Sequence, residues 1–462
     1  MKFTKMSLVA ALLMGSSAFA IDNIKMSGDA KLFYATSDAK SGYDQAYNAF
    51  TNGYTKKDGD LFSKDSSAAD AALSLNITAD LYKNDMVSIS AGAGYTVLST
   101  LGLENNLVSN VWGGSHQATF GTGASYGTVN GGALNGAKVE NANWMTEAWL
   151  AVTAGKTTVK LGRMELDTPL AFTETWSAEK NTFEAIVAVN QDIPDTTLVG
   201  AYVGNGNGSE TFGQANMASN INPIAGVSLA YAPVVNGGGK FATYGRDGAY
   251  AIGAINNSFK PLTAQAWYYN VMDVATAYWL QADLNMEGIV AGAQYTGLKA
   301  DAVGAKEDNV YALMLGYEMK DVATFKIAYS DVNKNGSVGA AGFNTATSTG
   351  ASKLYTEAWW NYGYVTRSDT QTISVSAEAN VATIDLGAYY TDANQGSKKD
   401  IAGNELRNID MKEFTLTAGK DFGPLNATLA YIYTKADDQN IKPYATKGSS
   451  YNSVQAYLTL NF

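Results

Sequence analysis

Leu73-Ser74-Leu75-Asn76-Ile77-Thr78-Ala79-Asp80-Leu81-Tyr82-Lys83-Asn84-Asp85-Met86-Val87-Ser88-Ile89-Ser90-Ala91-Gly92-Ala93-Gly94-Tyr95-Thr96 decides the fold class. Leu73, Leu75, Ile77, Ala79 and Leu81 share one parity, against Ser74, Asn76, Thr78 and Asp80 on the other. After Lys83-Asn84-Asp85 the pattern resumes, with Val87, Ile89, Ala91, Ala93 and Tyr95 opposing Ser88, Ser90, Gly92, Gly94 and Thr96. Successive side chains of a strand point to opposite faces, so the stretch reads as a hairpin with one greasy and one wet face. The same period returns at Ile373, Val375, Ala377 and Ala379, and again at Ala382, Ile384, Leu386, Ala388 and Tyr390. A soluble sandwich also alternates, so alternation alone does not choose.

Two features do. The apolar parity carries no charge, while the polar parity carries Asp80, Glu378 and Asp385. A charge facing hydrocarbon is costly, whereas one facing a wet lumen stays hydrated. Loop lengths also alternate: short turns at 83–85, 192–195, 286–288, 320–322 and 422–425 trade places with long polar stretches at 38–70, 98–141, 205–246, 332–368 and 393–408. That is the layout of a transmembrane antiparallel β-barrel, with short periplasmic turns and long external loops. Candidate strands from Ile24 to Phe462 number about eighteen, a size that leaves an aqueous channel rather than a filled core. Aromatics near strand ends (Tyr82, Tyr95, Trp267-Tyr268-Tyr269, Tyr278-Trp279, Tyr389-Tyr390, Tyr431, Tyr433) are expected to form interfacial girdles.

The ends and the composition agree with an all-β outer-membrane chain. Lys2 and Lys5, an apolar run through Met14 and Ala18-Phe19-Ala20 read as a secretory signal peptide over 1–20, followed by one barrel domain over 21–462. The last strand alternates Val454, Ala456, Leu458, Leu460 and Phe462 with polar residues, resembling the terminal signal that the barrel insertion machinery reads. Charged residues are only 16%, yet no segment after the signal reads as a spanning helix, and only a closed barrel meets lipid without one. The formal charge of −11 argues against nucleic acid as a partner. Expected partners are outer-membrane lipid and small polar solutes and ions.

Lys160-Leu161-Gly162-Arg163-Met164-Glu165-Leu166-Asp167-Thr168-Pro169-Leu170 resembles a segment of the OprD-like porins, a group that includes major outer-membrane proteins of epsilonproteobacteria. Thr356-Glu357-Ala358-Trp359-Trp360-Asn361-Tyr362-Gly363-Tyr364 is similar to their aromatic-rich inserted loop. The resemblance implies an eighteen-stranded channel for small, often charged nutrients, some members of the group being trimers, and a loop over 164–180 folded into the lumen. On that reading the pore constriction holds Glu165, Asp167, Glu174 and Glu179, faced by Lys160 and Arg163 on the adjoining strand and by Arg367 near the second patch. Acidic loops facing basic wall residues set up a transverse field, and the carboxylate excess predicts weak cation selectivity.

Weaker signals point elsewhere. Asp331-Val332-Asn333-Lys334-Asn335-Gly336 imitates the start of a calcium loop, but Gly342 stands where the bidentate Glu belongs, so an ordinary polar loop is the better reading and no cofactor is expected. Gly204-Asn205-Gly206-Asn207-Gly208 lacks the Lys of a phosphate loop and reads as a loop tip. The lone His116 has no Cys or second His beside it, which argues against an enzyme. A gated substrate-specific channel and a surface adhesin or structural barrel share every barrel feature. Saturable flux marks the first, and failure of liposome swelling the second.

Overall fold

The computed structural model describes residues 22–38, 47–48, 53–54, 60–63, 67–99, 101–103, 106–108, 142–176, 178–208, 241–243, 247–346, 351–396, 398–399, 405–406, 410–436 and 450–462. The signal-peptide reading over 1–20 and His116 lie outside them. Among the described residues the wall consists of β1 (Asp22–Ser37), β2 (Ser67–Lys83), β3 (Val87–Ser99), β4 (Ala142–Ala154), β5 (Thr157–Met164), β6 (Phe183–Asn190), β7 (Thr196–Gly206), β8 (Ala249–Asn256) and β9 (Leu262–Val271), then β10 (Ala275–Met286), β11 (Ile289–Ala300), β12 (Asp308–Met319), β13 (Ala323–Val332), β14 (Thr370–Val381), β15 (Ile384–Gln395), β16 (Met411–Asp421), β17 (Leu425–Ala436) and β18 (Ser450–Asn461). Each pairs antiparallel with its sequence neighbours, and Ala242–Thr243 only extends the edge beside Asn205–Gly206. β1 pairs with both β2 and β18, which closes the sheet into an eighteen-stranded barrel. At the seam, Phe462 N donates to Gly28 O (3.0 Å) and Gly28 N to Phe462 O (2.8 Å).

The wall is inside-out relative to a soluble protein. Leu313 and Leu315 are 52% and 57% exposed on the outer face, whereas Ser330, Thr372, Thr415 and Gln455 are fully buried within. Inward hydroxyls satisfy one another across strands, as in Ser74–Thr96 (3.0 Å) and Ser374–Thr391 (3.0 Å). Two water-facing layers would have buried the leucines and exposed the hydroxyls. A closed barrel with a wet interior does the reverse, because lipid replaces water outside.

Several boundaries differ from the sequence reading. Ala382-Thr383 is the β14–β15 turn rather than the start of a strand, both residues having positive φ (52° and 68°) without a glycine to announce it. On the long-loop end, the β9–β10 link is only 272–274 and the β11–β12 link 301–307, so not every external connection is long. Gly204–Gly206 is no loop tip: it ends β7, where a register shift against Glu184 and Ala185 accommodates it. The expected girdle is only partly a girdle. Tyr268 points out (47% exposed), but Trp267 and Tyr269 (6% and 7%) point in, as does Trp279 (0%). Adjacent residues of a strand cannot share a face.

Candidate pore constriction

β5 and β6 are only eight residues each, so the chain between them leaves the wall early and turns inward. This first inserted loop (165–182) makes a tight reversal, with an Asp167–Phe172 bridge and Thr173 N donating to Leu166 O (2.8 Å). Leu166, Leu170 and Phe172 are buried. Leu166 and Leu170 pack in one cluster with inward Ala and Val side chains of the wall, among them Ala201, Val203, Ala249, Ala251, Ala275 and Ala277. The expected inward fold of this segment is what the structure contains.

A second inserted loop (333–369) joins β13 to β14 and locks onto the first. Asn344 accepts from Phe172 N (3.1 Å) and donates to Phe172 O (3.0 Å) and Glu174 Oε1 (3.0 Å), while Thr345 N and Oγ1 both reach Leu170 O (2.9 and 2.7 Å). Wall groups hold it from behind. The Asp308 carboxylate takes Val338 N (2.7 Å) and Gly339 N (2.8 Å), and the Glu413 carboxylate takes Trp360 N, Asn361 N and Asn361 Nδ2 (3.0, 2.8 and 2.7 Å). Trp176 of the first loop meets Trp360 of the second edge-on at 5.4 Å, and both contact Phe33 on β1. The two loops thus form a crossbar from the β7–β12 wall to β1.

The structure places the expected constriction residues in different settings. Glu165 pairs with Lys180, and the exposed Asp167 with Lys353 of the second loop. Lys160 faces inward with its ammonium 4.1 Å from the centre of the Trp149 ring, and Trp149 Nε1 donates to Glu147 (2.9 Å). Glu174 and Glu179 do not line water: they are 3% and 2% exposed, and Glu174 is bonded to Asn344 and Trp176. Arg367 lies in the stem of the second loop, over the Tyr364 ring at 4.1 Å.

Arg163 departs from the expectation. It shares the outward row with Leu161 and Ile186 and pairs with Glu184 (2.7 Å), which also accepts from Asn205 (2.6 Å). Three positions separate it from Lys160, an odd number, so the pleat turns the two bases to opposite faces. Lys353 and Glu147 were missed. Lys353 sits in an aperiodic stretch just before the aromatic patch at 356–364, while Glu147 lies beside a register shift in β4 that disturbs the parity.

The calcium-like stretch is engaged otherwise. Asn333 serves Asn309 N (3.1 Å) and Glu307 O (2.9 Å), and Gly336 lies so close to the Asp308 carboxylate that a Cβ would overlap it. Among the described residues, no three His, Asp or Glu side chains gather to hold a metal. At the short-turn end a cavity of about 590 Å³ is lined by Glu318, Asp321, Glu378 and Asp385 among others.

No family model and no curated protein matches the sequence. Solved structures do. OpdK of Pseudomonas aeruginosa, crystallised with vanillate, is 12% identical with a TM-score of 0.63 over 96% of this chain and 100% of its own. The chain has the OprD/Occ porin fold. OccAB3 of Acinetobacter baumannii agrees at 13% identity and a TM-score of 0.64, over 95% of this chain and 99% of its own. OccK9 (OpdG) of Pseudomonas aeruginosa agrees at 10% and 0.66, over 96% and 99%. The OprD-like likeness read from 160–170 therefore extends to nearly the whole backbone.

Proposed function

We propose that the chain is an outer-membrane porin through which small polar or charged solutes diffuse passively, with a weak preference for cations. The observation that carries the reading is the inverted wall, with leucines outside and hydroxyls within, crossed by two inserted loops and leaving the inward Glu318, Lys326 and Asp385 exposed. The OprD/Occ fold supports it. At the crossbar the charges are paired (Glu165 with Lys180, Asp167 with Lys353), so they shape a local field more than a net charge. The preference is then left to lumen carboxylates such as Glu318, Glu378 and Asp385, opposed by the inward Lys326.

Planar-bilayer recording under a salt gradient tests this. Ohmic conductance with a reversal potential on the cation side is expected, and an anion-side potential would reject the charge assignment. On the same reading the mature chain starts at Ile21, the Phe462 strand engages the insertion machinery, and protomers assemble as homotrimers, which three equal conductance steps would report. The two-loop crossbar favours a second reading, a substrate-specific channel. Its flux would saturate with solute concentration instead of rising linearly.

A further inference from the structure

Near the external ends of β15–β18 the outer face carries charges that the passage does not use. Lys412 of β16 stands directly opposite Lys435 of β17, with Asp392 of β15 beside the first and Ser450 of β18 beside the second. The two lysines point outward: both are exposed, while their strand neighbours Met411, Glu413, Thr434 and Ala436 are buried. Like charges directly opposite on a sheet repel. Asp392 answers only one of them. It binds Lys412 Nζ (2.9 Å) and also accepts Asn394 Nδ2 (2.9 Å) and Tyr390 Oη (3.3 Å). Among the described residues Lys435 has no hydrogen-bond or ion-pair partner. An ammonium pair with half its charge answered is completed by an anion.

The depth of the pair says which kind of anion. On the next outward rung Phe414 faces Tyr433, on the one after Leu416 faces Tyr431, and Leu429 follows, all of them exposed. The next lysine on this row of β16 is Lys420, about 27 Å further along the tilted strand at about 3.4 Å per residue. The outward apolar band of a transmembrane barrel is about 25 Å tall, so Lys412 and Lys435 lie at headgroup level on the external side. A ligand with an anionic head and hydrocarbon beneath it matches both the ammonium pair and the greasy rungs below.

We propose that this outward rung docks an acylated lipid of the outer leaflet through its phosphate. Lys435 and Lys412 form the cationic seat, Ser450 offers a hydroxyl donor at its edge, and the acyl chains run down the face of Phe414, Leu416 and Tyr431. The proposal needs the barrel to stand in a bilayer and is independent of what crosses the lumen.

Titration of the full-length mature protein in detergent micelles with lipid A, followed by native mass spectrometry, tests the seat. Lipid A with its phosphates intact should bind, and the same lipid stripped of phosphate should bind far more weakly. A lysine close to an anionic lipid is worth about fivefold in affinity, so Lys435→Gln should lose about fivefold and K412Q/K435Q about 25-fold. Lys435→Arg keeps the charge and should keep wild-type affinity. Lys299→Gln removes an exposed outward lysine that stands opposite Thr276 rather than another lysine, and should change nothing. Inorganic phosphate at millimolar concentration should fail to compete. Undiminished binding by the double variant, equal binding of the stripped lipid, or displacement by inorganic phosphate overturns the proposal. Heat-modifiable migration checks that each variant keeps its barrel, and the two lipids on the wild type decide the matter where a variant does not fold.

Discussion

Replacing Glu413 should release the second inserted loop while leaving the wall standing. Glu413 is 2% exposed on β16 and receives Trp360 N, Asn361 N and Asn361 Nδ2 at 3.0, 2.8 and 2.7 Å. In Glu413→Ala the Asn361 amide still has Thr434 Oγ1 (2.8 Å), but the two backbone N–H groups lose their acceptor. Each costs about 1–3 kcal/mol when left buried and unbonded, so the upper range is about 2–6 kcal/mol. Removing the carboxylate also removes its own desolvation penalty, which draws the net effect toward about 2–3 kcal/mol. That suffices to raise the released population of a loop some thirtyfold or more, at about tenfold per 1.4 kcal/mol. The wall ladder is untouched, because backbone pairing of Glu413 with Thr391 and Thr434 does not involve its side chain. The assay is two-fold: single-channel conductance with protease sensitivity of the loop, and heat-modifiable migration on gels for the barrel. Larger or noisier conductance with unchanged barrel unfolding is expected. A variant with wild-type conductance and a protected loop would show that Glu413 is not an anchor.

Five other substitutions probe the pleat and the loop seat. Arg163→Gln should leave conductance and ion selectivity unchanged, because its guanidinium is paired on the outer face, whereas Lys160→Gln should move the reversal potential toward cations. Leu315→Arg, on the outer face between Tyr311 and Tyr317, should lower folding stability in lipid vesicles by about 2–4 kcal/mol, the cost of a basic residue facing the midplane; inward Thr324→Arg should cost far less and alter selectivity instead. Gly336→Ala would drive a methyl into the Asp308 carboxylate, weakening its bonds to Val338 and Gly339, and should show as faster proteolysis within 333–369 with the barrel intact.

The wall was legible in the sequence because one physical rule governs it everywhere. Hydrocarbon outside and water inside impose the same period on Leu73–Thr96 and on Ile373–Tyr390, and the exposed leucines and buried hydroxyls follow. The parity rule could also have placed Arg163, since Leu161 marks the outward row two residues before it. Carrying over a family motif as one unit hid that distinction. It could equally have split Trp267-Tyr268-Tyr269 into two inward and one outward ring. What no period announces is partner choice within the loops. Lys353 for Asp167, Asn344 for Glu174 and Glu413 for Asn361 join residues far apart in sequence. Each forms because a loop entering the lumen must satisfy its buried backbone and carboxylates there.

One local failure of the alternation explains where the first loop docks. Many inward positions carry hydroxyls, as at Ser330, Thr372 and Thr415, but from β7 to β10 the inward rows include Ala201, Val203, Ala249, Ala251, Ala275 and Ala277. Small apolar groups facing a water-filled lumen gain nothing, so such a patch makes sense only beneath a cover. Leu166 and Leu170 supply the cover, and burying a leucine is worth about 1.5–3 kcal/mol. The patch and the loop are then one device. Apolar contact seats the first loop on β7–β10, and hydrogen bonds to Asn344, Thr345 and Glu413 seat the second on the first and on the far wall. Ala277→Asp should therefore unseat the first loop, because a carboxylate placed under Leu166 and Leu170 meets the apolar side chains of that cluster and demands water. The expected result is a wider channel with an intact barrel, read by conductance and heat-modifiable migration. Unchanged conductance in A277D would mean the loop is held by its polar contacts alone, and that the apolar inward row owes its composition to something other than docking.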